Sequence, residues 1–360
     1  MKRQKYFPVA VLILIIQIGT LPFAPLVRGA AQTLPARLGD TEFWRITSEF
    51  SEPDGRFRSD NLLSNENYFQ YVIPELNRTV KTGLVYMGVG PEQNFTYIAA
   101  LKPKLAFIVD IRRGNLDLQL MYKALFELSS DRAEFVSRLF SKKRPDGLGP
   151  QSTASEIFTA YSKVEAAETL YQENLKAIKD HLLLTHGFPV SIDDLGGIDY
   201  VYRNFYRFGP DINYNSSSGG GGGGYGRVSY AELMIATDES GQPRSYLATE
   251  ENFAVLKDLE TKNLIVPIVG NFGGPSAIRA VGKYLKDMDA TVSAFYLSNV
   301  EQYLHQDGIW GAFCRNSATL PLDETSTFIR SVRGGRYGQG IGLNSDLGNM
   351  LNDLKGCGEQ

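Results

Sequence analysis

Residues 84–116 read LVYMGVGPEQNFTYIAALKPKLAFIVDIRRGNL, and this stretch decides the fold. Leu84, Val85, Tyr86 and Met87 form a short apolar run stopped by Gly88, the pattern of a strand buried on both faces. Gly88-Val89-Gly90 is the turn, and Pro91-Glu92-Gln93 reads as a first helical turn. Proline suits that position because its missing N–H would be unpaired there anyway. Glu92 suits it because the positive end of the helix dipole favours a carboxylate. Phe95, Ile98 and Ala99 fall on one helical face, and Pro103 bars the helix from continuing. Leu105 to Val109 is a second apolar strand, closed by Asp110.

A strand, a glycine turn and a helix make a ligand edge. Without a Cβ, the turn lets a ligand approach the backbone. The open N–H groups at the helix start can hold polar atoms. A carboxylate about 20 residues further on, at the tip of the next strand, can accept bonds from ribose hydroxyls. Asp110 stands at that spacing. The dinucleotide pattern G-x-G-x-x-G has Gln93 in place of its third glycine. That glycine allows close packing under a pyrophosphate, so its loss argues against NAD or FAD. It leaves a nucleoside without phosphates, such as S-adenosylmethionine.

On Gly88, Gly90 and Asp110 the chain resembles the class I S-adenosylmethionine-dependent methyltransferases. The two glycines match that family's glycine motif, and Asp110 matches its ribose-binding acid. The resemblance implies a Rossmann-like, mostly parallel α/β sheet of seven strands flanked by helices. It implies S-adenosylmethionine at the strand tips, held by Gly88, Gly90, Gln93 and Asp110. Two positions differ from the family's pattern: Tyr86 stands where an acid is usual, and Glu92 where a further glycine is common. Asn271 resembles the position where many of these enzymes place Asp or Asn to bond the accepting atom. Glu301 is the candidate base, and Glu66 and Asn299 are candidate substrate contacts. The segments SNENYF, GVGPEQNF and FYLSNVEQYL also resemble uncharacterised bacterial proteins with a methyltransferase-like fold.

The N-terminus points to export. Lys2, Arg3 and Lys5 precede an apolar stretch from Phe7 to Val27, and Gly29-Ala30-Ala31 offers small residues for cleavage. This is the layout of a secretory signal peptide over residues 1–31, or of an uncleaved anchor as the only membrane contact. The folded part is then periplasmic or secreted. The 360-residue chain carries a net charge of -3, and its first 31 residues hold four basic residues and no acids. The mature chain is therefore more acidic still, with no basic stripe for nucleic acid. Residues 32–360 suit one methyltransferase-like α/β domain.

Along that domain, helices are expected over residues 64–79, 115–140 and 155–186. Residues 188–230 break the pattern and read as an insertion, a lid or a surface cluster. It includes a flexible loop at 216–226 around the run Gly219 to Gly224. The turn DESGQP between Glu232–Thr237 and Arg244–Ala248 suggests a hairpin. Residues 264–269 and 291–297 are further strands, ending at Gly270/Asn271 and Ser298/Asn299. In a parallel sheet all these polar tips point one way, together with Gly88/Gly90 and Asp110.

Other chemistry is absent from the pattern. His181 and His186 are five apart on an expected helix, so they share no face there, and no histidine shows metal spacing. Cys314 and Cys357 are the only cysteines. In an exported chain they either pair, stapling the tail to the body, or stay as free thiols. The tail reads as glycine-rich and then briefly helical. Two functional readings follow. One is a methyltransferase acting on an unknown acceptor. The other is an exported, non-catalytic protein that keeps the fold to bind a small molecule or a partner. Neither the acceptor nor the oligomeric state is indicated.

Overall fold

The computed structural model describes Met1 and residues 33–217, 228–339 and 342–357. The expected signal peptide and the glycine run Gly219 to Gly224 therefore lie outside the described residues. Residues 32–360 group as one unit.

The stretch 84–116 folds as read. β1 (Val85–Gly88) pairs in parallel with β2 (Leu105–Asp110), Val85 beside Leu105 and Gly88 beside Ile108. Every residue of both strands is buried, as near-continuous apolar runs require. The helix between them spans Gln93–Leu101, two residues later than Pro91, and Lys102 ends it in the left-handed region at φ +46°.

Four more strands complete a six-stranded sheet. They are β3 (Ile265–Val269), β4 (Val292–Ser298), β5 (Leu322–Arg333) and β6 (Leu343–Asn349). The order across the sheet is β3-β2-β1-β4-β5-β6. All neighbours are parallel except β5 and β6, which are antiparallel. The described residues thus form six strands, not the seven that the resemblance implied. Chain order reverses between β1 and β4, so the crevice above that pair is a topological switch point.

Helices flank the sheet. In chain order they are α1 (Asp40–Glu49), α2 (Ile73–Thr79), α3 (Gln93–Leu101), α4 (Arg113–Leu128) and α5 (Arg132–Phe140). Next come α6 (Ala154–Tyr161), α7 (Glu168–Asp180), α8 (Ile192–Phe208), α9 (Tyr230–Ile235) and α10 (Glu250–Thr261). The last are α11 (Ala277–Asp287), α12 (Val300–Gln306), α13 (Trp310–Ser317) and α14 (Met350–Lys355).

Local capping chemistry explains where these depart from the expected elements. Residues 64–79 hold a 3-10 turn, Phe69–Val72, before α2 rather than one helix. The expected helix over 115–140 is two, because Ser129 turns extended and Asp131 caps α5, accepting from Glu134 N at 2.8 Å. Thr153 and Glu156 form a capping box that starts α6 near the expected point, but α6 ends at Tyr161 and the extended Ala167 restarts the chain as α7, so 155–186 is broken as well. The expected hairpin near 232–248 is absent. Ser229 and Glu232 form a capping box that starts α9, and only an isolated bridge joins Thr237 to Pro243. Residues 192–208, inside the expected insertion, form a helix that packs against the core. Ser191 and Asp194 cap α8, whose Val201, Tyr202 and Phe205 are buried in the core. At the C-terminus, Cys314 and Cys357 are joined by a disulfide.

Candidate functional site

The turn after β1 is built from inside by Asn94. Its Nδ2 donates to the carbonyls of Val89 at 2.9 Å and Pro91 at 2.8 Å, while Tyr86 donates to its Oδ1 at 2.9 Å. A Cβ on Gly88 would lie 1.9 Å from that Oδ1, so only glycine leaves room for the tie. Gly90 adopts φ +78°, where side chains are strained. A Cβ there would stand 4.0 Å from Asp110 Oδ2 and 3.2 Å from Asn61 Nδ2. The glycine turn and the acid of the neighbouring strand therefore face each other.

Asp110 does not stand alone. Its Oδ1 accepts from Arg112 N at 2.9 Å, and the Arg112 guanidinium lies 3.2 Å from both carboxylate oxygens. The same guanidinium donates to the Asp60 carbonyl. Arg112 thus ties the tip of β2 to the loop at Asp60 and Asn61, beside Gly90. Tyr200 of α8 donates to Asp60 Oδ2 at 2.6 Å and backs this loop. Arg113 pairs with Asp194 at 2.6 and 2.8 Å.

A second network spans the switch point. Glu66 is 4% exposed and accepts from Gln93 Nε2 at 2.9 Å, Tyr296 OH at 2.8 Å and Ser298 Oγ at 2.6 Å. Gln93 opens α3 just after the β1 turn, and Tyr296 and Ser298 lie at the end of β4, so one carboxyl links the two sides of the switch point. Gln93 also donates to Tyr97 OH at 2.9 Å and accepts from Ser64 Oγ. Ser64 N in turn donates to the Glu92 carboxyl, 3.3 Å from each oxygen. Among the described residues no cation is bonded to either acid. Burial raises the Glu66 carboxyl above its ordinary range despite its three donors. Burial, aided by the nearby Glu66 charge, pushes Glu92 up to about 8.

The other expected site residues lie apart. Asn271 follows β3. Its Oδ1 accepts from Gly273 N at 2.9 Å, and its N donates to Glu52 at 3.1 Å. Glu52 also accepts from Ser276 N and Ala277 N at 2.7 and 2.8 Å, holding the start of α11. Glu301 lies on α12, paired to Arg330 at 2.9 and 3.0 Å, and Arg330 also pairs with Asp353. Asn299 stands half-buried at the start of α12. Three strand spacings separate β3 from β4, roughly 14 Å, so Asn271 and Glu301 do not converge on one reacting atom. Gly88, Gly90, Gln93, Asp110 and Glu66 do gather around β1. Sequence reasoning missed Arg112 as the partner of Asp110, and Tyr296 and Tyr97 as partners inside the network. Tyrosines within apolar runs were the available signal, since a buried phenol needs a bonding partner.

A family described as a domain of unknown function, DUF7790, matches residues 62–184 and 227–346, about two thirds of the chain. Both the glycine turn and the Glu66 network fall inside the matched residues. No curated protein matches the chain.

Proposed function

Since this chain belongs to the DUF7790 family, whose description assigns no function, we propose one from the site itself. The chain binds a nucleoside-type small molecule at the tips of β1 and β2, with S-adenosylmethionine the foremost candidate, and transfers its methyl group. One observation carries this reading. Gly90, in left-handed backbone, faces the Asp110 carboxylate across two adjacent parallel strands, beside the switch point. Ligands of open α/β sheets sit in that crevice. A ribose there meets bare backbone on one side and an acceptor on the other.

Methyl transfer asks little of acid–base groups. The acceptor's lone pair forms a bond to the methyl carbon as the carbon–sulfur bond breaks, and S-adenosylhomocysteine leaves. Proximity and in-line orientation supply most of the barrier reduction. The dispersed positions of Asn271 and Glu301 fit a mechanism that rests on positioning. Export belongs to the same proposal, with residues 1–31 as the secretory signal. The Cys314–Cys357 disulfide supports an oxidising compartment.

Asp110→Asn is expected to weaken S-adenosylmethionine and S-adenosylhomocysteine binding about tenfold or more, the value of a bond to a charged group. The melting temperature should fall too, because asparagine still accepts from Arg112 N but leaves the buried Arg112 guanidinium without its carboxylate, so affinities are compared on folded protein well below that transition. Calorimetry on the wild type and the variant checks this. Equal affinity in both, or no binding to the wild type at millimolar ligand, overturns the reading.

The second reading is an exported binder that keeps the fold without the reaction. Arg112 favours it, because its guanidinium already occupies the carboxylate that a ribose would need. Arg112→Ala separates the two. It unmasks or tightens S-adenosylmethionine binding if Asp110 is a ribose acceptor, and does nothing for that ligand if the pair is the resident structure.

A further inference from the structure

His181 and His186, five residues apart, point to one acceptor. The chain between them, His181–Thr185, is a single π turn, and His186 N donates to His181 O at 3.1 Å. An i→i+5 turn brings residues five apart onto one face, which the ordinary helical period does not. His181 Nε2 lies 2.7 Å and His186 Nε2 2.8 Å from the same Glu127 Oε2 on α4. The three donor atoms are all within 4.8 Å of one another. The His186 ring also packs on Phe188, centroids 4.7 Å apart.

His186 contacts a carboxylate at each nitrogen, because its Nδ1 is 2.7 Å from Asp40 Oδ1. A neutral imidazole has one N–H. If Nδ1–H donates to Asp40, the Nε2 lone pair is aimed at a carboxylate oxygen, and a positive charge between them is required. Asp40 is itself fixed by Asn263 Nδ2 at 2.9 Å. A carboxylate bonded to the outer nitrogen of a histidine is the usual support of a metal-ligating imidazole. Lys123 Nζ holds the other Glu127 oxygen at 2.6 Å and also donates to Glu260 O, so Oε2 is the oxygen that faces the two imidazoles.

We propose that Glu127, His181 and His186 bind one divalent ion of the zinc class, with Asp40 orienting His186. Two imidazoles and one carboxylate suit zinc rather than calcium or magnesium, which favour oxygen ligands. Donors sharing a tetrahedral zinc stand roughly 3.3 Å apart, so the two Glu127–histidine pairs open by about half an ångström on binding. The ion pins the π turn and α1, through Asp40, to α4. Its three protein ligands leave a fourth position for water.

The test uses the untagged full chain, stripped with a chelator and titrated with zinc chloride by calorimetry. The expected result is one equivalent bound at about micromolar affinity or tighter. Binding should weaken about tenfold or more in His186→Ala and in the near-isosteric Glu127→Gln. A melting temperature that rises with zinc and falls back with chelator reads the same site in the unaltered protein. No saturable binding up to about 100 micromolar zinc overturns the proposal and leaves a proton as the charge between His186 and Glu127. Unchanged affinity in folded Glu127→Gln overturns it too.

Discussion

Replacing Glu92 with glutamine is expected to stabilise the protein at pH 8 by about 4 kcal/mol and to change little at pH 5. The cause is burial. Glu92 lies wholly inside, its carboxyl is met by the backbone N–H groups of Ser64 and of Glu92 itself, and Glu66 is close enough to oppose its charge. Burial pushes its folded pKa up to about 8, above the ordinary value of 4.5. An acid raised in this way contributes stability that is fully present below its unfolded pKa. That stability is lost as pH rises toward the folded pKa, because the unfolded chain releases the proton first. Over about 3.5 pH units at 1.4 kcal/mol each, the cost at pH 8 approaches the figure given. Glutamine keeps the size and an acceptor for Ser64 N and never ionises. Urea unfolding of both proteins at pH 5 and pH 8 measures the difference. A gap of the same size at both pH values would show that Glu92 titrates normally and that this account is wrong. Asp117, which burial pushes to about 8, adds a loss of wild-type stability over the same window.

Glu92 also shows how far the sequence could be read. The β1–α3–β2 unit was legible because each strand is a short apolar run bounded by glycine or proline. Glycine at 88 and 90 could be read as a turn, and Asp110 as a strand-tip acid. That Arg112 would cover Asp110 could not be read, since two residues of spacing do not say which way a guanidinium folds. Glu92 read as a helix-dipole partner, and its burial came from Ser64 and Glu66, which only the tertiary fold brings near. β5 and β6 escaped notice for another reason. LDETSTFIRSVR and LNSDLGN carry many polar residues, and they are strands because β4 and each other supply the ladder. Residues 192–208 hid behind Gly196, Gly197 and a run of aromatics, although Ser191-x-x-Asp194 is a start signal. The histidine pair was set aside on a 3.6-residue period, and the chain there has a wider turn.

Loss of the Cys314–Cys357 bond is expected to cost about 4 kcal/mol, the loop-closure value for its separation of 43 residues. The bond joins α13 to the residue that follows α14 by two positions, and both cysteines are 6% exposed. Other ties hold the same tail. β6 pairs with β5 over seven residues, and Asp353 of α14 pairs with Arg330. These act in the folded state, whereas the disulfide acts chiefly by restricting the unfolded chain, so its loss lowers stability without abolishing the tail's structure. Cys357→Ser should therefore unfold at lower urea while retaining the β5–β6 pairing, and hydrogen exchange should rise most over residues 343–357. Two outcomes would sink this expectation. Mass spectrometry of protein alkylated inside intact cells of its native host could find two free thiols, or the serine variant could match the wild type in urea. The first would also remove the support that the bond lends to export, because a thiol pair this close that stays reduced indicates a reducing compartment.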